Sequence, residues 1–342
     1  MLHAAARRAP RGCAIRETGG GMTIDELRAR TVLGPLVLDG AMGTFLHASA
    51  GAPGPVHATD ALTWSHTERV RAAHDAYLDA GADIVRTNTF RAASEAHAAH
   101  ARALCEAAAR LARAAADEWS ARTPGRARLV AGALGPADEP RASPARRSAA
   151  AAEELRGVFR EPLIGLLTGG VDLLLFETWW CPAQTAVALA ALADAHAATG
   201  RRVAVLFSAP LAPDGRVAAS HAVLEEWLAE VDPEAVDGVG VNCGHGPGGL
   251  AVPLSTLAGR FPLVLCAPSA GVPGQEGTLY SPAGFARSVS AYVAAGIVQI
   301  AGGCCGTTPE HVRALAEALE APAGQSATPP NAVATPRRAG TQ

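Results

Sequence analysis

The chain has 342 residues, 49% of them hydrophobic, 18% charged and 4% aromatic, and a formal net charge of −3. A chain of this length can bury a sizeable core, which excludes a small domain that depends on disulfide staples. No basic stripe marks a phosphate-backbone binder, and no run reaches the ~18 apolar residues of a membrane span.

Residues 1–21 (MLHAAARRAPRGCAIRETGGG) are basic but lack the unbroken apolar segment of a secretory signal, and they read as a disordered arm. An early translation start, with Met22 opening the mature chain, is the simpler reading of this arm, and a mitochondrial-type leader the weaker one. One domain is expected over 22–320, followed by a disordered Pro-, Ala- and Thr-rich tail at 321–342. The expected location is cytoplasmic. Seven cysteines, an odd number in a large chain, speak for thiols that bind metal, react or pack rather than for a disulfide framework.

Eight short apolar runs follow in order: Leu36–Asp39, Asp83–Asn88, Arg128–Leu134, Val171–Glu177, Arg202–Ser208, Val239–Cys243, Pro262–Ala267 and Ile297–Gly303. They are continuous rather than alternating, as strands covered on both faces are. Helical stretches separate them: Trp64–Ala80, Ser94–Arg122, Ala149–Leu167, Gln184–Ala198, His221–Val231, Leu250–Ala258, Ala283–Ala295 and Thr308–Leu319. Gly81 and Gly200 stand where helix C-caps are expected, and Pro309 falls in a first turn. Eight strand–helix repeats predict an α/β protein, a single (β/α)8 barrel. The alternative, a doubly wound open sheet, lacks its Gly-rich fingerprint after the first strand.

Chemistry in such a barrel sits at the C-terminal ends of the strands. There the first strand ends in Asp39-Gly40-Ala41, the second in Thr87-Asn88-Thr89, the fourth in Glu177-Thr178, the sixth in Asn242-Cys243-Gly244 and the eighth in Gly303-Cys304-Cys305-Gly306. A vicinal Cys-Cys alone reads as packing, a redox pair or metal ligands. Cys243 at a second strand end favours the metal, and three thiolates suit Zn²⁺ with one coordination position left open. His245 is read as a rim residue rather than a fourth ligand. Cys105 and Cys266 read as small core residues, Cys13 falls in the arm, and Cys181, near the mouth, receives no role. Asp39 reads as a turn cap or a site acid, and Glu177 as the partner of a nearby Arg or, since a carboxylate at a dry barrel mouth wants a cation, of a substrate ammonium. The amides of the Gly40–Thr44 turn are expected to receive a substrate carboxylate.

The segments LVLDGAMGT (36–44), DIVRTNTF (83–90), ALGP (133–136), LLFET (174–178), VGVNCG (239–244) and GGCCGTTPEHV (302–312) resemble the homocysteine S-methyltransferase family over roughly residues 31–320. The resemblance implies a zinc-dependent barrel that methylates L-homocysteine to methionine. It implies Cys243, Cys304 and Cys305 as zinc ligands, Glu177 and Asp39 as homocysteine-binding acids, and Asn88 and Asn242 as pocket residues. The sequence departs from the family pattern at Arg86, where Glu or a small polar residue is common, and at Ser269-Ala270-Gly271. The expected donor is a small sulfonium, such as S-methylmethionine or S-adenosylmethionine, or betaine. Two alternatives are a homocysteine-activating module served by a separate corrinoid or folate protein, and a structural zinc domain.

Overall fold

The computed structural model describes residues 22–48, 56–137, 149–212, 214–218, 220–231, 234–244, 246–271 and 279–321. The arm expected at 1–21, the tail expected at 321–342 apart from its first residue, and His245 lie outside the described residues. Eight strands, β1 (Leu36–Val37), β2 (Ile84–Arg86), β3 (Leu129–Leu134), β4 (Leu173–Phe176), β5 (Ala204–Ala209), β6 (Gly238–Cys243), β7 (Val264–Pro268) and β8 (Ile300–Ala301), form one parallel sheet. Its order is β1-β8-β7-β6-β5-β4-β3-β2, with every pairing parallel. A parallel bridge between Leu38 and Ile84, with the Asp39 N–H donating to the Ile84 carbonyl at 2.9 Å, joins β1 to β2 and closes the barrel.

The continuous apolar runs are explained by the two-residue alternation of side chains along a strand. Leu173 and Leu175 of β4 face the barrel interior with Leu36, Ile84, Leu206, Leu265 and Ile300. Leu174 and Phe176 face the helix layer with Val85, Val205, Phe207 and Val264. Both faces are dry, so neither needs a polar residue. A helix ahead of β1 that the sequence reading did not assign, Ile24–Val32, starts on a Thr23–Glu26 capping box. Met22 and Leu27 plug the inner cluster from that side, and Met22 bridges Asp172 and Ala204 through its backbone.

Two predicted helices are broken. The stretch predicted at Trp64–Ala80 divides into Leu62–Ser65 and Thr67–Asp79 at His66, whose φ of −146° and ψ of 54° leave the helical region. The stretch predicted at Ser94–Arg122 becomes a short 3₁₀ turn, Glu95–His97, and the helix Ala101–Arg122, parted at His100. The Gly40–Thr44 turn leads into a short helix, Met42–Ala48. Among the described residues no helix is long and apolar enough to cross a membrane.

His74, on Thr67–Asp79, is fully buried and neither ring nitrogen has a hydrogen-bond partner. Burial lowers its pKa to about 4, against a smaller upward pull from Asp75. The unfolded chain therefore takes up a proton at this residue before the folded one does. Stability is intact above the ordinary value of about 6.5 and falls as the pH drops toward 4, by up to about 3 kcal/mol from this group. We expect His74→Leu to remove that part of the acid sensitivity, seen as a flatter dependence of the urea midpoint on pH between 6.5 and 4.

Candidate active site at the barrel mouth

Strand alternation sets which side chains enter the mouth. Just past β4, Glu177 follows Leu173 and Leu175 in parity and so points inward. Arg86 follows Ile84 on β2 in the same way, and Asn242 follows Gly238 and Gly240 on β6. Arg86 is 5% exposed and gives its donors to three strand ends. Its Nε donates to Asp39 Oδ1 at 2.7 Å and its Nη1 to Glu177 Oε2 at 2.7 Å. Its Nη2 donates to the carbonyls of Gly40 and Gly303, each at 2.7 Å, and its backbone N–H to Asp39 Oδ2 at 2.8 Å.

This arrangement changes the role read for Asp39. Its carboxylate is fully buried, bound on both oxygens by Arg86, and absent from the cavity wall. Burial pushes Asp39 up to about 6 despite the opposing pull of Arg86. Glu177, raised by burial and held down by the same guanidinium, does line the cavity. Gly40 lies behind the wall, where an added methyl group would press on the Tyr77 ring. The Ala41 amide, one of those expected to bind a substrate carboxylate, donates instead to the Thr307 hydroxyl at 3.0 Å.

The three thiols meet. Cys243 Sγ and Cys305 Sγ are 3.6 Å apart, and the sulfurs of Cys243, Cys304 and Cys305 all lie within 4.8 Å of one another. Cys243 would point out of the barrel by parity, but its φ of 56° turns the chain into the left-handed region. A non-glycine residue there costs on the order of 1–3 kcal/mol, and such strain gathers at functional sites. Thr178, on the neighbouring wall, carries the same strain at φ 55°. The two strained residues are tied together by Asn242, whose Oδ1 accepts from the Thr178 N–H and the Ser208 hydroxyl, each at 2.8 Å. Its Nδ2 donates to Thr178 Oγ1 at 2.7 Å and lies 3.8 Å from Cys304 Sγ.

The Cys304-Cys305 turn is fastened from both sides. The Cys305 carbonyl accepts from the Ala270 N–H at 2.9 Å and from the Ser269 hydroxyl at 2.8 Å, and the Thr307 hydroxyl donates to the Cys304 carbonyl at 2.6 Å. Gly306 has φ 76°, and a side chain there would strike the Gly271 carbonyl. Hydrogen bonds from Cys243 and Cys304 pull Cys305 toward its thiolate, and the sharing pushes Cys243 up. Four sulfurs at the usual Zn–S length of about 2.3 Å stand about 3.8 Å apart in a tetrahedron. The spacing and the softness of the donors fit such an ion, and these three residues form a group able to hold a metal.

A cavity of about 230 Å³ opens onto all three thiols. Glu177, Thr178, Arg86, Asn88, Met42 and Thr44 also line it. Asn88 acts on the wall by holding the neighbouring segment, donating to the Thr59 carbonyl at 2.8 Å. Cys105 and Cys266 are fully buried in the helix-layer core, and Cys181 does not reach the cavity. Several cavity residues carried no role in the sequence reading, Arg86 and Asp60 among them. Arg86 showed itself only as an unusual residue in a strand, and Asp60 stands in a stretch with no periodic signal.

The fold and the site define a barrel enzyme built around a thiol cluster at its mouth. A homocysteine S-methyltransferase family model matches residues 36–319. The chain belongs to that family, and it is a methyltransferase. The crystal structure of the homocysteine methyltransferase MmuM from Escherichia coli in its oxidised form superposes with a TM-score of 0.67 at 27% identity, over 83% of this chain and 95% of that one. The metallated form of the same protein gives a TM-score of 0.64 at 25% identity, over 83% and 96%.

Proposed function

We propose that the protein transfers a methyl group to the thiol of L-homocysteine, forming methionine, with Zn²⁺ held by Cys243, Cys304 and Cys305. The single observation that carries this reading is that these thiols and the Glu177 carboxylate open into one cavity. Only one Glu177 oxygen is bonded to Arg86, which leaves the other to take the homocysteine ammonium. Cys243, Cys304 and Cys305 would hold the ion, and three protein ligands would leave room beside them for the incoming thiol.

A free thiol with a pKa near 8.5 is only a few per cent ionised at pH 7. Bound Zn²⁺ supplies the Lewis acidity that keeps the substrate sulfur deprotonated. The chain does the rest. Glu177 fixes the amino end, the strained Cys243 and the fastened Cys304-Cys305 turn fix the sulfur end, and the buried walls exclude water. The substrate thiolate then forms a new S–CH₃ bond as the donor's bond to that methyl breaks, and the electron pair stays with the donor atom.

We propose a small onium compound as donor. A panel of S-methylmethionine, S-adenosylmethionine, betaine and methylcobalamin with homocysteine tests this by methionine formation. Turnover with a sulfonium or betaine alone is the expected result. Turnover confined to methylcobalamin would assign the chain as an acceptor module for a corrinoid protein.

A further inference from the structure

Arg86, Asp39 and Glu177 account for the buried charge beside the thiols, but one further carboxylate on the cavity wall has no part in that network. Asp60 stands at the end of the short 3₁₀ turn Val56–Ala61, is 3% exposed and lines the cavity. One of its oxygens, Oδ2, accepts the Arg91 N–H at 3.0 Å and lies 3.7 Å from His97 Nε2. The turn is held in place from the segment just past β2, where Asn88 Nδ2 donates to the Thr59 carbonyl at 2.8 Å and to Thr63 Oγ1 at 3.3 Å. A carboxylate buried this deeply with a single close hydrogen bond is costly unless a cation completes it. The facing groups do not supply one in full. His97 is held toward its neutral form by burial, and Glu177 adds negative charge. The Arg91 cation acts on Asp60 but is outweighed by burial.

We propose that Asp60 binds the cationic head of the methyl donor, forming a donor subsite in the same cavity as the thiol–Glu177 subsite for homocysteine. The inference rests on the function proposed above and assigns the donor's place within it. It also accounts for release. When the methyl carbon leaves a sulfonium, the electron pair of the broken C–S⁺ bond stays on sulfur and the donor becomes a neutral thioether. The attraction to Asp60 at that atom then disappears. Burial pushes Asp60 up to about 7. In the empty site at neutral pH it is therefore partly protonated, and a bound onium group favours its ionised form.

The test uses the metal-loaded full chain and Asp60→Asn, with Asp60→Glu as the conservative variant. Losing a hydrogen-bonding, charged partner predicts a rise of roughly 10- to 100-fold in the donor KM. Metal content and the homocysteine KM stay at the parent values, and Asp60→Glu recovers part of the loss. The parent's kcat/KM for the donor rises from pH 6 to 8, and that rise is lost in Asp60→Asn. An unchanged donor KM, or an equal rise in the homocysteine KM, overturns the proposal. A second measurement needs no turnover: tetramethylammonium binding to the parent by calorimetry, expected to strengthen from pH 6 to 8 and to weaken in Asp60→Asn. If the metal-loaded parent forms no methionine from homocysteine with any of the donors, the function proposed above fails. If the parent is active and tetramethylammonium ignores both pH and Asp60, only the donor subsite fails.

Discussion

Cys304→Ala loses bound metal and methyl transfer together. The variant removes one of three sulfurs that lie within 4.8 Å of one another. Structural zinc sites bind with about 10–16 kcal/mol spread over four ligands, so one ligand accounts for roughly 3 kcal/mol and a hundredfold in affinity. The true loss exceeds that share, because an ion left with two protein sulfurs is open to water on two sides. Cys304 is only partly buried and belongs to none of the hydrophobic clusters, so the barrel itself should persist. The measurements are zinc per chain after chelator competition, methionine formation, and far-ultraviolet circular dichroism as the check on folding. A Cys304→Ala protein that forms methionine without metal would refute the proposed chemistry. Zinc-edge X-ray absorption gives a parallel check on the parent, with a rise from three to four sulfur ligands expected on adding homocysteine.

Arg86→Met is expected to be the most destabilising single change at the mouth. The guanidinium is the cation shared by Asp39 and Glu177, at 2.7 Å from each, and it also donates to the carbonyls of Gly40 and Gly303. Removing one partner of a buried ion pair costs about 3–5 kcal/mol, because the remaining charge stays buried and uncompensated. Here two carboxylates are left in that state. The sign of the pH dependence follows. Asp39 already sits near 6 with Arg86 present, well above the ordinary carboxylate value, so the folded protein takes up this proton more readily than the unfolded chain. Without Arg86 that preference grows. The loss in urea stability should therefore be largest near pH 8 and shrink as the pH falls toward 5, where protonation removes the stranded charge. The conservative Arg86→Lys retains a cation but not the fork that reaches three strand ends, and should recover only part of the loss. Glu177 also loses its anchor in Arg86→Met, so the homocysteine KM rises in whatever fraction remains folded. Stability that is indifferent to Arg86 would show that the network is not the support described here.

The barrel was legible because its signals are local. Each apolar run holds one strand, and the alternation within a run decides which residue at its end enters the mouth, as Leu173, Leu175 and Glu177 show. The helix breaks at His66 and His100 were not legible, because the surrounding composition remains helical while packing sets the bend. Cys243 was predicted at the mouth for its place at a strand end, yet its thiol arrives there only through a left-handed residue that nothing in VGVNCG announces.

By itself the sequence determined eight buried strands, the thiols at the ends of two of them, and a carboxylate after LLF, all features written within a few neighbouring residues. The tertiary structure alone decided that Arg86 would take Asp39 away from the cavity, across 47 residues of chain, and would steady Glu177 across 91. It also decided that Asp60, from a stretch without pattern, would share a wall with the thiols. The physical reason is that a buried charge selects its partner by proximity and desolvation after the strands have closed, and no local pattern of residues records which charges will then be neighbours.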